Sequence, residues 1–179
     1  MKKIILTVFA ASSLLLYSTQ AFALFSVSVG TPLAYSFANG GSNSNTEGYF
    51  LGVQLPFALG LGMDSHKVGS DTGTTELHTN MYNLFYQLPI PVINLILGLG
   101  TGNQEYKCDD AGNGLSCSDV WDKGSATQLY TSLGFPIIPL FDLHISYRMI
   151  TSKNIKIKAT GGTFDMSGSV AGIGLAFNF

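Results

Sequence analysis

Residues 165–179 read DMSGSVAGIGLAFNF, and their alternation decides the fold class. Ala171, Ile173, Leu175, Phe177 and Phe179 share one parity, while Gly168, Gly172, Gly174, Ala176 and Asn178 occupy the other. Successive side chains on a strand point to opposite faces, so this segment has one apolar face and one small, polar face. A soluble sandwich can end on such a strand, and so can a membrane barrel. The rest of the chain separates the two.

Composition is the first separator. Only 11% of the residues are charged and 46% are hydrophobic, too little polar surface for a protein covered by water. Lys2 and Lys3 precede an apolar run from Ile4 to Leu16, followed by Ala21-Phe22-Ala23. That pattern predicts a secretory signal peptide over residues 1–23, cleaved to leave one domain over 24–179. The run is shorter than the roughly 20 residues of a spanning helix, and no comparable run follows it. With the two leader lysines removed, seven Lys and Arg stand against eleven Asp and Glu, which gives no support for a nucleic-acid partner. A barrel resolves the shortage of charge, because its outward face meets lipid while strand pairing satisfies its backbone.

Parity then gives eight candidate strands: 24–37, 49–55, 57–67, 77–88, 92–105, 125–135, 140–150 and 165–179. Each has one apolar face, as with Leu59, Leu61 and Met63 against Gly60, Gly62, Asp64 and His66. The first strand places Val27, Val29, Leu33, Tyr35 and Phe37 outward. The second, from Tyr49, is short for a bilayer and must borrow from the preceding loop. Three connections repeat one motif, Gln54-Leu55-Pro56-Phe57, Gln87-Leu88-Pro89-Ile90 and Gly134-Phe135-Pro136-Ile137. Proline has no N–H and belongs at turns and strand ends. The other four connections, 38–48, 68–76, 106–124 and 151–164, are longer and polar. Tyr35, Tyr49, Tyr82, Tyr86, Phe141 and Tyr147 fall where interfacial aromatic girdles are expected. The reading is all-β: an eight-stranded antiparallel transmembrane barrel, up-and-down, with short periplasmic turns and four longer extracellular loops.

This architecture resembles the small outer-membrane barrels typified by the OmpA transmembrane domain, OmpX and OmpW. The resemblance implies location in the Gram-negative outer membrane, contact with its lipid and lipopolysaccharide, and insertion by the barrel-assembly machinery. It also implies that Ile173, Leu175, Phe177 and Phe179 form the C-terminal assembly signal. A peptidoglycan-binding domain after the last strand is not expected, a monomer is expected, and no cofactor or metal is expected.

Cys108 and Cys117 sit close together in the third long loop, and two cysteines in an exported chain predict a disulfide. Without nearby histidines they supply too few ligands for a metal. Asp109, Asp110, Asp119 and Asp122 with Trp121 make that loop either a binding surface or a protease-resistant cover. The inward parity collects Asp64, His66, Gln104, Gln128, Asp142, His144 and Arg148, and Arg148 between Asp64 and Asp142 predicts an ion-pair network. That network is either a structural plug or the lining of a narrow, gated pore. Lys153, Lys156 and Lys158 are placed to meet lipopolysaccharide phosphates, and the alternation of Ile155-Lys156-Ile157-Lys158 suggests that the seventh strand's hairpin extends beyond the membrane. His144-Ile145-Ser146 resembles the His-x-Ser pair of the lipid A deacylase PagL. Against that reading, both side chains face the lumen, Tyr147 replaces that family's Asn, and the pair lies toward the short turns. Asp142 or Glu105 would have to serve as the orienting acid.

The expected role is therefore non-enzymatic: a membrane protein whose loops meet ligands or a host. A narrow pore for small or hydrophobic solutes and a lipid A-modifying enzyme stand as alternatives.

Overall fold

Eight strands follow one another around a closed wall: β1 (Ser26–Phe37), β2 (Thr46–Gln54), β3 (Leu59–Gly69), β4 (Glu76–Leu88), β5 (Asn94–Lys107), β6 (Gly124–Ile138), β7 (Phe141–Thr151) and β8 (Gly168–Asn178). The computed structural model describes residues 25–40, 42–43, 45–69, 75–88, 90, 93–108, 116–152, 155–158 and 160–179. The expected leader, Leu24, Pro89, Val92, Asp109, Asp110 and Lys153 lie outside the described residues. Every strand is antiparallel to its sequence neighbours, and β8 returns to pair with β1. The closing pair is sealed at one end by Phe25 and Phe179, which exchange two backbone hydrogen bonds of 3.0 and 2.9 Å. Closure removes the open sheet edges that hydrocarbon cannot satisfy.

Alternation places the apolar faces outside. Val29, Leu51, Leu61, Leu84, Leu99, Ile145 and Leu175 are all exposed on the outer wall. A continuous apolar surface of this kind does not suit water and does suit the hydrocarbon of a bilayer. The narrow interior is filled by side chains. Glycine makes room for the largest of them: a Cβ on Gly60 would lie 2.1 Å from the Phe85 ring, and one on Gly98 would lie 2.1 Å from the Tyr130 ring.

Several boundaries differ from the sequence reading. β2 does reach back into its loop, to Thr46, and so gains the length that Tyr49 alone denied it. Phe57 is in a one-turn 3-10 segment, Pro56–Ala58, rather than in the third strand. Past the end of β7, the expected hairpin extension is a separate two-stranded piece, in which Ile155–Lys156 pairs with Thr163–Phe164. Tyr35 was expected in the outer girdle but is fully buried in the lumen. The cause is a bulge after Pro32: β1 pairs Pro32 with Gly172 but Ala34 with Ala171, so Leu33 is the extra residue and parity inverts beyond it. Above Gly30 the pairing between β1 and β2 also stops, and the Thr31 hydroxyl donates to Gly48 O across the seam at 3.2 Å.

Candidate functional site

The inward side chains stack in three layers along the barrel axis. At mid-height, Arg148 of β7 reaches across the lumen to Asp64 of β3, Nε donating to Oδ2 at 2.9 Å. Gln128 of β6 donates to the same oxygen at 2.6 Å and to Asn83 Oδ1 at 3.0 Å. Arg148 also donates from Nη1 to Ser146 Oγ, and its guanidinium lies 3.4 Å from the centre of the Phe50 ring and 5.1 Å from that of Tyr130. Arg148 is 6% exposed and Asp64 1% exposed, so each charge depends on the other. His66 is wedged between Tyr35 and Phe50, ring centres 6.2 and 6.1 Å away.

Toward the short turns, Asp142 holds a separate layer. Its Oδ2 accepts from Asn178 Nδ2 at 2.8 Å and from Asn94 Nδ2, and Gln87 Nε2 donates to Asn94 Oδ1 at 2.7 Å. The expectation that Asp142 joins the Arg148 network is therefore corrected. Six residues of one strand, about 20 Å at some 3.3 Å per residue, separate the two Cα positions, and the hydrogen-bond partners of Asp142 are not those of Arg148. Between these layers is a cavity of about 50 Å³ lined by Phe50, Asn83, Phe85, Tyr130, Ser132 and His144 among others.

Toward the long loops the lumen is closed by an apolar cap that the sequence reading missed. Val68, Leu77, Met81, Ala126, Ile150 and Val170 come from the strands, Tyr35 from the inverted part of β1, and Ile155 and Met166 from the fourth long loop. Tyr35 Oη donates to Met166 O at 2.9 Å, and Gln104 Nε2 donates to Thr79 Oγ1 at 3.0 Å and toward Tyr35 Oη at 3.4 Å. Pro32, in the middle of a strand-like pattern, was the one available signal for the bulge that turns Tyr35 inward.

Above the cap the third and fourth long loops form one platform. Cys108 and Cys117 are bonded, Cα atoms 5.2 Å apart, at the start of the short helix α1 (Cys117–Val120). Ser116 Oγ and N donate to Asp119 Oδ2 at 2.7 and 2.9 Å, and the hydroxyl contact holds that carboxylate below its ordinary value. Trp121 bridges to Ile157 of the other loop, and its ring lies tilted against that of Tyr106 at 5.4 Å, over the cap. Asp122 N donates to Lys156 O and Lys158 N to Val120 O, each at 2.9 Å, and Lys158 Nζ donates to Ser118 O at 2.6 Å. Lys158 is thus engaged within the protein.

The outer wall carries a charged belt at the same end. Lys67 bridges Glu47 and Glu76 at 3.2 Å each, and Glu76 also meets His78 Nε2 at 2.9 Å. Glu105 meets Lys123 at 2.6 Å and Lys107 at 3.5 Å. His78 and then Lys67 hold Glu76 below its ordinary value, and Lys123 does the same for Glu105.

The His144-x-Ser146 pair faces the lumen and does not form a nucleophile–base contact. His144 Nδ1 instead meets Ser132 Oγ at 3.1 Å, its Nε2 is 4.0 Å from Asp142, and Ser146 is occupied by Arg148. Glu105 lies on the outer wall, far from both. Among the described residues, no three His, Cys, Asp or Glu side chains are placed to hold one metal ion.

No protein-family model and no curated protein sequence matches this chain. Solved structures do match over its length. Neisserial surface protein A is 15% identical with a TM-score of 0.60, covering 87% of this chain and 97% of its own. Ail, the attachment invasion locus protein of Yersinia pestis, is 15% identical with a TM-score of 0.55 and the same coverage, 87% and 97%. The outer membrane protein W of E. coli is 12% identical with a TM-score of 0.52, covering 86% and 97%. At these identities the likeness is one of fold, and it agrees with the strand count, the closure and the apolar outer wall: the chain is a closed eight-stranded antiparallel barrel of the type found in the small outer-membrane barrel proteins.

Proposed function

We propose that this protein is a non-enzymatic, integral outer-membrane barrel with a sealed lumen, acting through the platform at its extracellular end. The observation that carries the reading is the stack of obstructions in the lumen. A solute would have to displace the Tyr35–Met81–Met166 cap and then part Arg148 from Asp64. The cavity beneath, about 50 Å³, has room for roughly three to five water molecules. These features weigh against the narrow pore, and the lumen-facing, separately engaged His144 and Ser146 weigh against lipid A chemistry.

What remains to do work is the platform. The disulfide, α1, the hairpin and Trp121 fix two loops as one surface, and a pre-ordered surface loses less entropy when it binds. Barrels of this fold include a neisserial surface protein and an attachment invasion locus protein, which supports a ligand- or host-contacting role. The charged belt below the platform is at the height of lipid headgroups, where lipopolysaccharide would meet it, and the barrel-assembly machinery would insert the chain. An epitope inserted after Gly161, an exposed loop position with nothing within 4 Å of its Cβ direction, tests the orientation. Antibody should label intact cells; labelling only after the outer membrane is permeabilised would overturn the proposal.

A further inference from the structure

The three short turns are apolar where an aqueous compartment would favour polar residues. Phe57 is 92% exposed, and Ile90, Ile137, Ile138 and Leu140 are exposed as well. Phe57 and Leu140 also take positive φ, 73° and 77°, a conformation that branched and bulky residues adopt only when the surroundings require it. Each turn sits in a stretch without Asp, Glu, Lys or Arg: residues 48–63, 77–104 and 124–141. Among the described residues, the outer-wall ion pairs are at the opposite end.

The height of the apolar wall says what covers these turns. Below the belt marked by Ser65, Lys67, His78 and Asn80, the outward apolar row of β3 runs only from Leu59 to Met63. With about 3.3 Å per residue and a tilt near 40°, that row is about 10 Å tall; the rows from Tyr82 to Leu88 and from Phe141 to Met149 are about 15 and 20 Å. Barrels of this kind present an apolar band about 25 Å tall. If the charged belt is level with the outer headgroups, the strands run out before the hydrocarbon does.

We infer that the periplasmic turns sit at the inner headgroup boundary, their backbone among the headgroups and Phe57, Ile90, Ile137, Ile138 and Leu140 dipping into phospholipid acyl chains, so that the barrel has no apolar rim facing water on that side. The apolar turns continue the lipid-facing surface and make up the missing height, shortest at β3, where Phe57 is most exposed. This inference rests on the membrane-barrel reading above.

The test is depth-dependent fluorescence in phospholipid vesicles. Trp121 is the only tryptophan; in a Trp121→Phe background, Phe57→Trp and, independently, Ile137→Trp place the probe on two different turns. Both probes should emit at blue-shifted wavelength, lose fluorescence with brominated acyl chains and resist aqueous iodide. Iodide quenching without loss to brominated lipid, at either site, would overturn the inference and point to a thinned bilayer or to turns left in water. Gel mobility of the same samples before and after boiling reports insertion independently. A chain that never inserts refutes the barrel reading, whereas an inserted barrel with iodide-quenched turns refutes only the immersion.

Discussion

Replacing Arg148 with methionine isolates the mid-lumen ion pair. Asp64 is 1% exposed and would keep only the Gln128 N–H at 2.6 Å once the guanidinium at 2.9 Å is gone. Removing one partner of a buried pair costs about 3–5 kcal/mol, because the other charge is left uncompensated. Methionine recovers much of the packing on Phe50 and Tyr130, so the loss reports charge more than volume. The double variant Asp64→Asn, Arg148→Met removes both charges and lets Gln128 keep an acceptor; its stability should fall within about 1 kcal/mol of the native chain. The coupling between the two sites should then be at least about 2 kcal/mol. Urea unfolding of barrels refolded into phospholipid vesicles, followed by gel mobility, measures all four corners of the cycle, with Asp64→Asn as the second single variant. Equal losses in the single and double variants would refute the reasoning, since they would mean that Asp64 does not depend on Arg148.

Three further outcomes follow from the structure. Reducing the disulfide, or replacing Cys108 and Cys117 with serine, should cost about 2–3 kcal/mol through loop entropy and leave the barrel inserted; Trp121 emission should shift to the red as the platform loosens, and an unchanged spectrum would contradict the role given to α1. Glu105 is held below its ordinary value of 4.5 by Lys123, so its contribution is present above that value and lost as pH falls through the depressed one. Glu105→Gln should therefore cost under about 1 kcal/mol at neutral pH, less in high salt, and nothing in strong acid. Phe179→Glu removes ring contacts at 6.3 Å to Phe25 and 5.4 Å to Phe177 and puts charge on the closing seam; the yield of heat-modifiable protein in the outer membrane should drop, and normal yield would undercut the assembly role of Phe179.

The strands were legible because a wall with lipid on one side and packed side chains on the other enforces period two over most of its length. β7 shows this plainly, with Asp142, His144, Ser146 and Arg148 inward and Phe141, Ile145, Tyr147 and Met149 outward. The pattern is blind to an inserted residue. Leu33 shifts the register once, and Tyr35 moves from the expected girdle into the cap. Parity also gives a side chain's face but not its height, which is why Asp64 and Asp142 read as one network and occupy two layers. The platform was the least legible part. Trp121 meeting Ile157, and Lys158 meeting Ser118, are contacts between distant stretches of loop that no local spacing encodes.

The central claim is a sealed barrel, and single-channel recording of the refolded native protein in a planar bilayer tests it most directly. Folded protein, verified by its gel shift before boiling, should insert and stay electrically silent, because the cap and the Arg148–Asp64 layer leave no continuous path. Discrete, reproducible openings from the same preparation would contradict the claim and make the lumen, rather than the platform, the working part of the molecule.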